Sequence, residues 1–422
     1  MAKKKLLFFS IFIIIILVFV LTIYNIIYKN NNIYLNNKDA APNFISIMLE
    51  ETAGSGEYKV SKSNKWPSKG YVFNKEMSYC NNGSTLTWNE NDNSVSVNIN
   101  KTDKCQVYFD IQSTLVEYVI SQYTGTQGGN GIYYHNSTLA NGAGDNSYRY
   151  AGANPNNFVC FGTKANPCPT DNLYRIIGVM DGKVKLIKYD YANDNLLGTD
   201  GDYYGSDVPD ASYYKGSLTT INTYYWNNAT KTNTWSESNL NKVNLNTNYI
   251  NNIGITWANK IATTTWKVGN GSIDKISFSV PKTAYQNEVG SSASTITYDA
   301  KIGLMYASDY YYAAGPSAWT LVGYNYNDAT KDYRAATSIN WMHMGMHEWI
   351  ISRDSYYSDK AYYASKPGFV TSYYVIGSEH YNLLGARPSF NLLSSITYVS
   401  GSGSMSDPIR ITDWRTVLKK HR

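Results

Sequence analysis

Two histidines stand four residues apart in His343-Met-Gly-Met-His347-Glu348. On a helix that spacing would hold a metal, but Glu348 follows the second histidine instead of lying inside His-Glu-x-x-His. Trp341, His343, Gly345, His347 and Trp349 alternate as a strand would. In a strand the two rings would sit about 13 Å apart, too far to share an ion. Core or loop histidines are therefore expected. A second candidate is Asp200-Gly-Asp202-Tyr-Tyr-Gly205-Ser-Asp207, whose Asp200, Asp202 and Asp207 would bind calcium through a carboxylate-rich loop. An EF-hand would want Asp or Asn at Tyr204 and Glu at Ala211, so a solvated acidic loop competes with it.

The third chemistry is aromatic. The chain holds 40 tyrosines, many in doublets or triplets. Neighbouring residues of a strand point to opposite faces, so one tyrosine of each doublet is expected at the surface. Exposed Tyr and Trp offer flat faces to sugar rings and cheap, adaptable contacts. Tyr310, Tyr311, Tyr312, Trp319, Trp341, Tyr356 and Tyr357 are the residues expected to build such a face, with core packing as the competing reading. Arg353, Arg387 and Asp407 are expected in salt bridges or turns. No Gly-x-Ser-x-Gly, Walker A or Gly-x-Gly-x-x-Gly signature occurs, so no catalytic residue is assigned.

The elements behind these residues begin with residues 6–28, which carry no charge. As a helix they would run roughly 34 Å, enough to cross a bilayer core of about 30 Å. Lys3, Lys4 and Lys5 precede them, so the positive-inside bias puts the N-terminus in the cytoplasm and the rest outside. A cleaved signal peptide fits less well, since no small-x-small site ends the run. In an oxidising exterior Cys80 would pair with Cys105, and Cys160 with Cys168. The net charge of +5 owes three units to the inner lysines. What remains outside is near neutral, which excludes the basic face of a nucleic-acid binder. Only 16% of residues are charged, and with abundant Asn, Ser, Thr and Gly this suits β-rich modules with polar loops. The excess of Asn, Ile, Lys and Tyr equally fits an AT-rich genome.

Short strands are expected from Phe44 to Leu49, at Leu86–Trp88, Ser94–Ile99 and Gln106–Phe109, forming a small β-sandwich over 43–110. Ser113 or Thr114 caps a helix to Tyr123, with Glu117 in its first turn. Leu173–Met180 and Lys183–Lys188 flank Asp181-Gly182, a strong hairpin signal. Leu240–Ile261 is expected to hold two short helices, with Ile250, Ile253, Trp257 and Ile261 at helical spacing. Further strands are expected at Lys301–Met305, Glu348–Ser352, and around Arg387–Leu392, Tyr398–Ser400 and Ile409–Ile411.

Several blocks carry a resemblance: Asp145-Asn-Ser-Tyr-Arg-Tyr through Cys160-Phe-Gly, Asn172-Leu-Tyr-Arg-Ile-Ile-Gly-Val179, Ala300-Lys-Ile-Gly-Leu-Met-Tyr306, Glu348-Trp-Ile-Ile-Ser-Arg353, Gly385-Ala-Arg-Pro388 and Gly401-Ser-Gly-Ser-Met-Ser-Asp-Pro408. Over most of 43–412 the chain resembles uncharacterised surface proteins of low-GC Gram-positive and related gut bacteria. Their distal domain is distantly similar to C-type-lectin-like folds, including the formylglycine-generating-enzyme branch. That resemblance implies that Leu173–Lys188 packs near the last strands and that long loops form a binding face. Formylglycine-generating enzymes need two late thiols, and no Cys follows Cys168.

The expected fold class is α+β and β-rich: an N-terminal transmembrane helix, a small β-sandwich, then a C-type-lectin-like domain. The expected divisions are a cytoplasmic 1–5, a transmembrane signal-anchor 6–28, a linker 29–42, a β module 43–110, a helix and linker 111–147, the lectin-like domain 148–412 and a basic tail 413–422. The expected function is non-enzymatic surface binding or adhesion by a single-pass membrane protein. Its partners would be a glycan, peptide or surface protein, not nucleic acid, with no cofactor beyond calcium. A cell-wall-directed envelope enzyme and a structural envelope component are the alternatives.

Overall fold

The structure is a computed structural model that describes residues 44–52, 55–61, 70–89, 94–98, 103–269, 271–376 and 384–413. Among the described residues strand outweighs helix, 34% against 19%, a β-rich balance. The expected class is corrected in its first element. Among the described residues no helix is long and apolar enough to cross a membrane. The longest, Leu240–Tyr249, has ten residues, about half of what a spanning helix needs. The anchor expected over 6–28, the linker 29–42 and residues 414–422 of the basic tail lie outside the described residues.

The first unit comprises β1 (Phe44–Glu50), β2 (Tyr58–Val60), β3 (Tyr71–Cys80), β4 (Thr85–Asn89), β5 (Ser94–Asn98) and β6 (Lys104–Ile111). Four strands form one sheet in the order β2-β1-β6-β3, with β1 and β6 parallel. Among the described residues β4 and β5 pair only with each other and lay Leu86 and Val95 against a core of Ile47, Val107 and Phe109. The expected β-sandwich is thus a mixed sheet with a hairpin lid, because two strands suffice to cover so small an apolar face. Cys80 and Cys105 face each other across β3 and β6 and are disulfide-bonded.

The helix Leu115–Ser121 follows, capped as its sequence suggests. The Thr114 hydroxyl accepts the Glu117 N–H (3.1 Å), while the Glu117 carboxylate takes the Thr114 N–H (2.8 Å). Beyond it come β7 (Ile132–Tyr134), β8 (Tyr148–Tyr150), β9 (Phe158–Cys160), β10 (Leu173–Met180) and β11 (Lys183–Lys188). Two hairpins follow, β12 (Tyr203–Asp207) with β13 (Ile221–Tyr224), and β14 (Thr264–Lys267) with β15 (Thr297–Ala300). Then come β16 (Ile302–Gly303), β17 (His347–Arg353), β18 (Lys360–Ala364), β19 (Val370–Tyr374), β20 (Leu384–Gly385), β21 (Ser389–Asn391), β22 (Ile396–Ser400) and β23 (Arg410–Asp413).

The central sheet runs β16-β21-β11-β10-β8-β7, with β9 added beside β10. Its spine is the β10–β11 hairpin, turned by Asp181 and Gly182, both at positive φ (49° and 67°) as a two-residue loop requires. The pairing of β11 with β21 places Leu173–Lys188 beside the late strands. Apolar cores lie on both faces. Val184 and Leu186 join Leu115, Val119 and Tyr174 on one side. Ile177 and Ile187 join Tyr310, Tyr311 and Trp341 on the other. Arg149 of β8 comes in because β8 crosses very close to β10 at Gly178. A Cβ there would meet the Tyr148 carbonyl oxygen at 2.1 Å, so only glycine fits.

Candidate functional site

The aromatic face expected from the sequence divides in two. Tyr310, Tyr311, Tyr312, Trp319 and Trp341 are buried, and each ring's polar atom is spent on a backbone carbonyl. Tyr310 donates to Gly368 O (2.9 Å), Tyr311 to Ile276 O (2.9 Å), Tyr312 to Asn141 O (3.1 Å), Trp319 to Ala314 O (2.9 Å) and Trp341 to Tyr150 O (2.8 Å). These five are core, which corrects the expectation of a surface face. The triplet lies in the helix Ala307–Tyr312 rather than a strand, so its rings fan out around the axis into separate packing surfaces. Tyr356 and Tyr357 do face solvent, 80% and 46% exposed, with Tyr374 at 44%. Lys360 lies over the Tyr357 and Tyr374 rings at 4.0 and 5.0 Å.

The calcium loop does not assemble. Asp202 is buried, and its carboxylate accepts the backbone N–H groups of Asn228 (3.0 Å) and Leu240 (2.7 Å). Asp200 accepts from the Asn248 amide (2.6 Å), and Asp207 sits on β12 paired with Ile221. Among the described residues the only gathered set of metal-type ligands is Cys80, Asp103 and Cys105, whose two sulfurs are already joined to each other. Cys160 and Cys168 are likewise disulfide-bonded. His343 meets the Tyr310 hydroxyl at 3.1 Å, while His347 accepts the Lys366 N–H at 3.3 Å. Gly345, at φ +87°, breaks the chain between them, so no strand carries both.

Arg387 and Glu348 form a buried ion pair (2.7 and 2.8 Å), and Arg387 also donates to Met342 O (2.7 Å). Asp407 accepts the Ser402 N–H (2.8 Å) and pins the β22–β23 turn. Arg353 donates to Gly269 O (3.3 Å). All three are tied to structure.

A concave site lies elsewhere, against β8 and the β10–β11 turn of the central sheet. A cleft of about 400 Å³ is walled by β8, the β10–β11 turn, β14, the helix Pro281–Glu288 and the start of the Ala307–Tyr312 helix. Its floor is a buried ionic chain. Lys185 donates to Asp309 (2.5 Å), Arg149 lies 3.5 Å from the other Asp309 oxygen, and Arg149 also donates to Asp145 (2.8 Å). Ser147 links the last pair: its hydroxyl donates to Asp145 (2.5 Å) and accepts from Arg149 Nε (2.8 Å). Asp309 is fixed by the Tyr306 N–H (3.0 Å) at the head of its own helix. Glu288 takes the next two helix donors, Ala307 N–H and Ser308 N–H. Tyr285 flanks Arg149 at 5.4 Å, and Tyr306 flanks Lys185 at 4.6 Å.

The electrostatics of this floor follow from that wiring. Burial alone would push the Asp145 carboxyl up, but Arg149 and Ser147 more than offset it and hold it well below the usual carboxylate range. Burial pushes the Tyr285 and Tyr306 phenols up, so both stay protonated. Among the described residues no histidine or cysteine lines the cleft.

The cleft is not legible in the sequence, where nothing in Tyr148–Tyr150 or Lys183–Lys188 marks Arg149 and Lys185 as buried. The available signal was charge inside runs that become central strands. The chain matches no known family model, no curated protein and no solved structure.

Proposed function

We propose that the chain is a non-enzymatic binding protein of an oxidising compartment, and that the cleft on the central sheet takes its ligand. The observation that carries this reading is the saturated floor. Asp145, Ser147, Arg149, Lys185 and Asp309 already occupy one another, so the site presents fixed dipoles and charges without a group poised to move a proton. That argues against the envelope-enzyme alternative. The two disulfides support the compartment, since such bonds persist where thiols are not kept reduced.

The test is a metabolite-mixture binding screen by ligand-observed NMR on the full chain and on Thr263→Trp. Thr263 is an exposed residue of the cleft wall, so the larger ring would fill the mouth without removing a core contact. Saturable binding that disappears in the variant, with every bound compound recovered unchanged, is expected. Turnover of a bound compound, or binding indifferent to the substitution, would count against the reading.

A second reading is favoured by the Tyr356, Tyr357, Tyr374 and Lys360 patch, which offers exposed rings for contact with a glycan or cell surface. Cell-wall or glycan-array binding that falls about tenfold in Tyr356→Ser with Tyr374→Ser would support it. Undiminished binding would remove the patch from consideration.

A further inference from the structure

The charges around the cleft fall into two sets. On the floor, Arg149 and Lys185 are matched by Asp145 and Asp309. On the wall, Lys183 and Lys267 meet no carboxylate in an ion pair among the described residues. Lys267 is held in place by donating to Val289 O (2.8 Å), which orients the ammonium without neutralising it. The remaining wall carboxylate, Asp181, is exposed on the β10–β11 turn. The face a ligand meets is therefore positive by one unit. Thr263, Thr264 and Asn391 line the same cleft, as does the half-buried Tyr285. The Asn391 amide is set by a hydrogen bond to the Thr264 hydroxyl (3.1 Å). Hydroxyls and an amide suit a molecule that both donates and accepts, and the ring suits its less polar face.

From this arrangement we infer that the cleft takes a small acidic carbohydrate: a hydroxyl-rich molecule with one carboxylate or phosphate, its anion between Lys183 and Lys267 and its hydroxyls against Thr263, Thr264 and Asn391. The inference rests on the binding reading above and names its ligand class. The volume of about 400 Å³ is at the lower end of small-molecule sites, which fits a mono- or disaccharide. Because the floor ions are matched, the anion's attraction comes from the wall lysines alone. Recognition is accordingly salt-sensitive, and lost with either lysine rather than with both only.

The experiment is isothermal titration of the full chain with galacturonic acid, glucuronic acid, glucose 6-phosphate, galactose, acetate and inorganic phosphate, at low and physiological salt. Lys183→Gln and Lys267→Gln are titrated alongside, with melting temperatures recorded to show that each variant folds. At least one acidic sugar is expected to bind about tenfold tighter than galactose, with acetate and phosphate alone not saturating. Each variant is expected to lose about that factor at unchanged melting temperature, and the carboxylated and phosphorylated sugars tell the two anion sources apart. Equal affinity for galactose and the uronic acids would overturn the ligand class. So would undiminished affinity in both lysine variants. A neutral or cationic metabolite that binds in the NMR screen and is displaced by Thr263→Trp would overturn the class yet leave the binding reading standing. No saturable ligand in either experiment would overturn both.

Discussion

At the scale of single residues, the chain buries charge where its strands read as half-exposed. Lys185, Arg149 and Arg387 all lie inside the protein with their carboxylates. A buried pair costs desolvation to make, and breaking one side strands the other. Arg387→Met is therefore expected to lower stability by about 3–5 kcal/mol in denaturant unfolding, because Glu348 loses both of its guanidinium hydrogen bonds. Adding Glu348→Gln should recover part of the loss. Failure of the second change to help would mean that the ion pair is not the source of the cost. The rings tell the same story from the opposite side. Tyr310–Tyr312 were legible as aromatic but not as buried, since a triplet gives no face until the backbone is known to be helical. Tyr356 and Tyr357 are both exposed, not one of the pair as strand alternation implies, because Asp354 turns the chain there, its carboxylate accepting both of their N–H groups (2.9 and 3.4 Å).

At the scale of elements, legibility follows local chemistry. The Thr114–Glu117 capping box and the Asp181-Gly182 hairpin are written in adjacent residues, and both form. The Leu240–Tyr249 segment is different. Its buried apolar residues Leu240, Leu245 and Tyr249 step by five and four, wider than the 3.6 of an α-helix, and it adopts a π-helix. Asparagines supply what the ladder lacks. Asn246 donates to Asn241 O (3.0 Å) and Ile302 O (3.0 Å) and accepts the Ile302 N–H (3.0 Å), while Asn244 and Asn248 donate to Leu197 O. Asn246→Ala should cost about 1–3 kcal/mol by thermal unfolding and loosen hydrogen exchange at Ile302. Unchanged exchange there would show that the helix is held by its apolar contacts alone. Helix over Leu240–Ile261 is expected from the sequence and forms, but its π character is not legible, because an excess of asparagine also signals loops.

At the scale of the whole molecule, separate cores and buried histidines make two predictions. The β1–β6 unit has its own apolar cluster and its own disulfide. Replacing Cys80 and Cys105 together by Ala should cost that unit about 3.5 kcal/mol by loop entropy. Calorimetry should then show an earlier transition, with the transition of the central sheet in place. A single transition shifted as a whole would mean that the two parts unfold together. Burial, with Arg149 nearby, pushes His135 down to about 3. Burial, with Lys215 and Arg387, does the same to His343. Both are neutral when folded, while in the unfolded chain they take protons below about pH 6.5. Stability from these two is whole above that value and declines as pH falls toward 3, by about 2 kcal/mol for each at pH 5. Melting temperatures between about pH 7 and 5 check the sign, and a rise on acidification would refute it.

Binding without catalysis requires that the cleft floor be a charge-saturated platform rather than an acid–base centre. Carboxyl-detected NMR of Asp145, assigned through Asp145→Asn, tests this directly over about pH 8 to 4. A flat Asp145 signal across that range is predicted, since Arg149 and Ser147 hold the carboxyl well below its ordinary range. A midpoint between about pH 5 and 7 would reveal a group tuned for proton transfer, and would contradict the binding account in favour of catalysis.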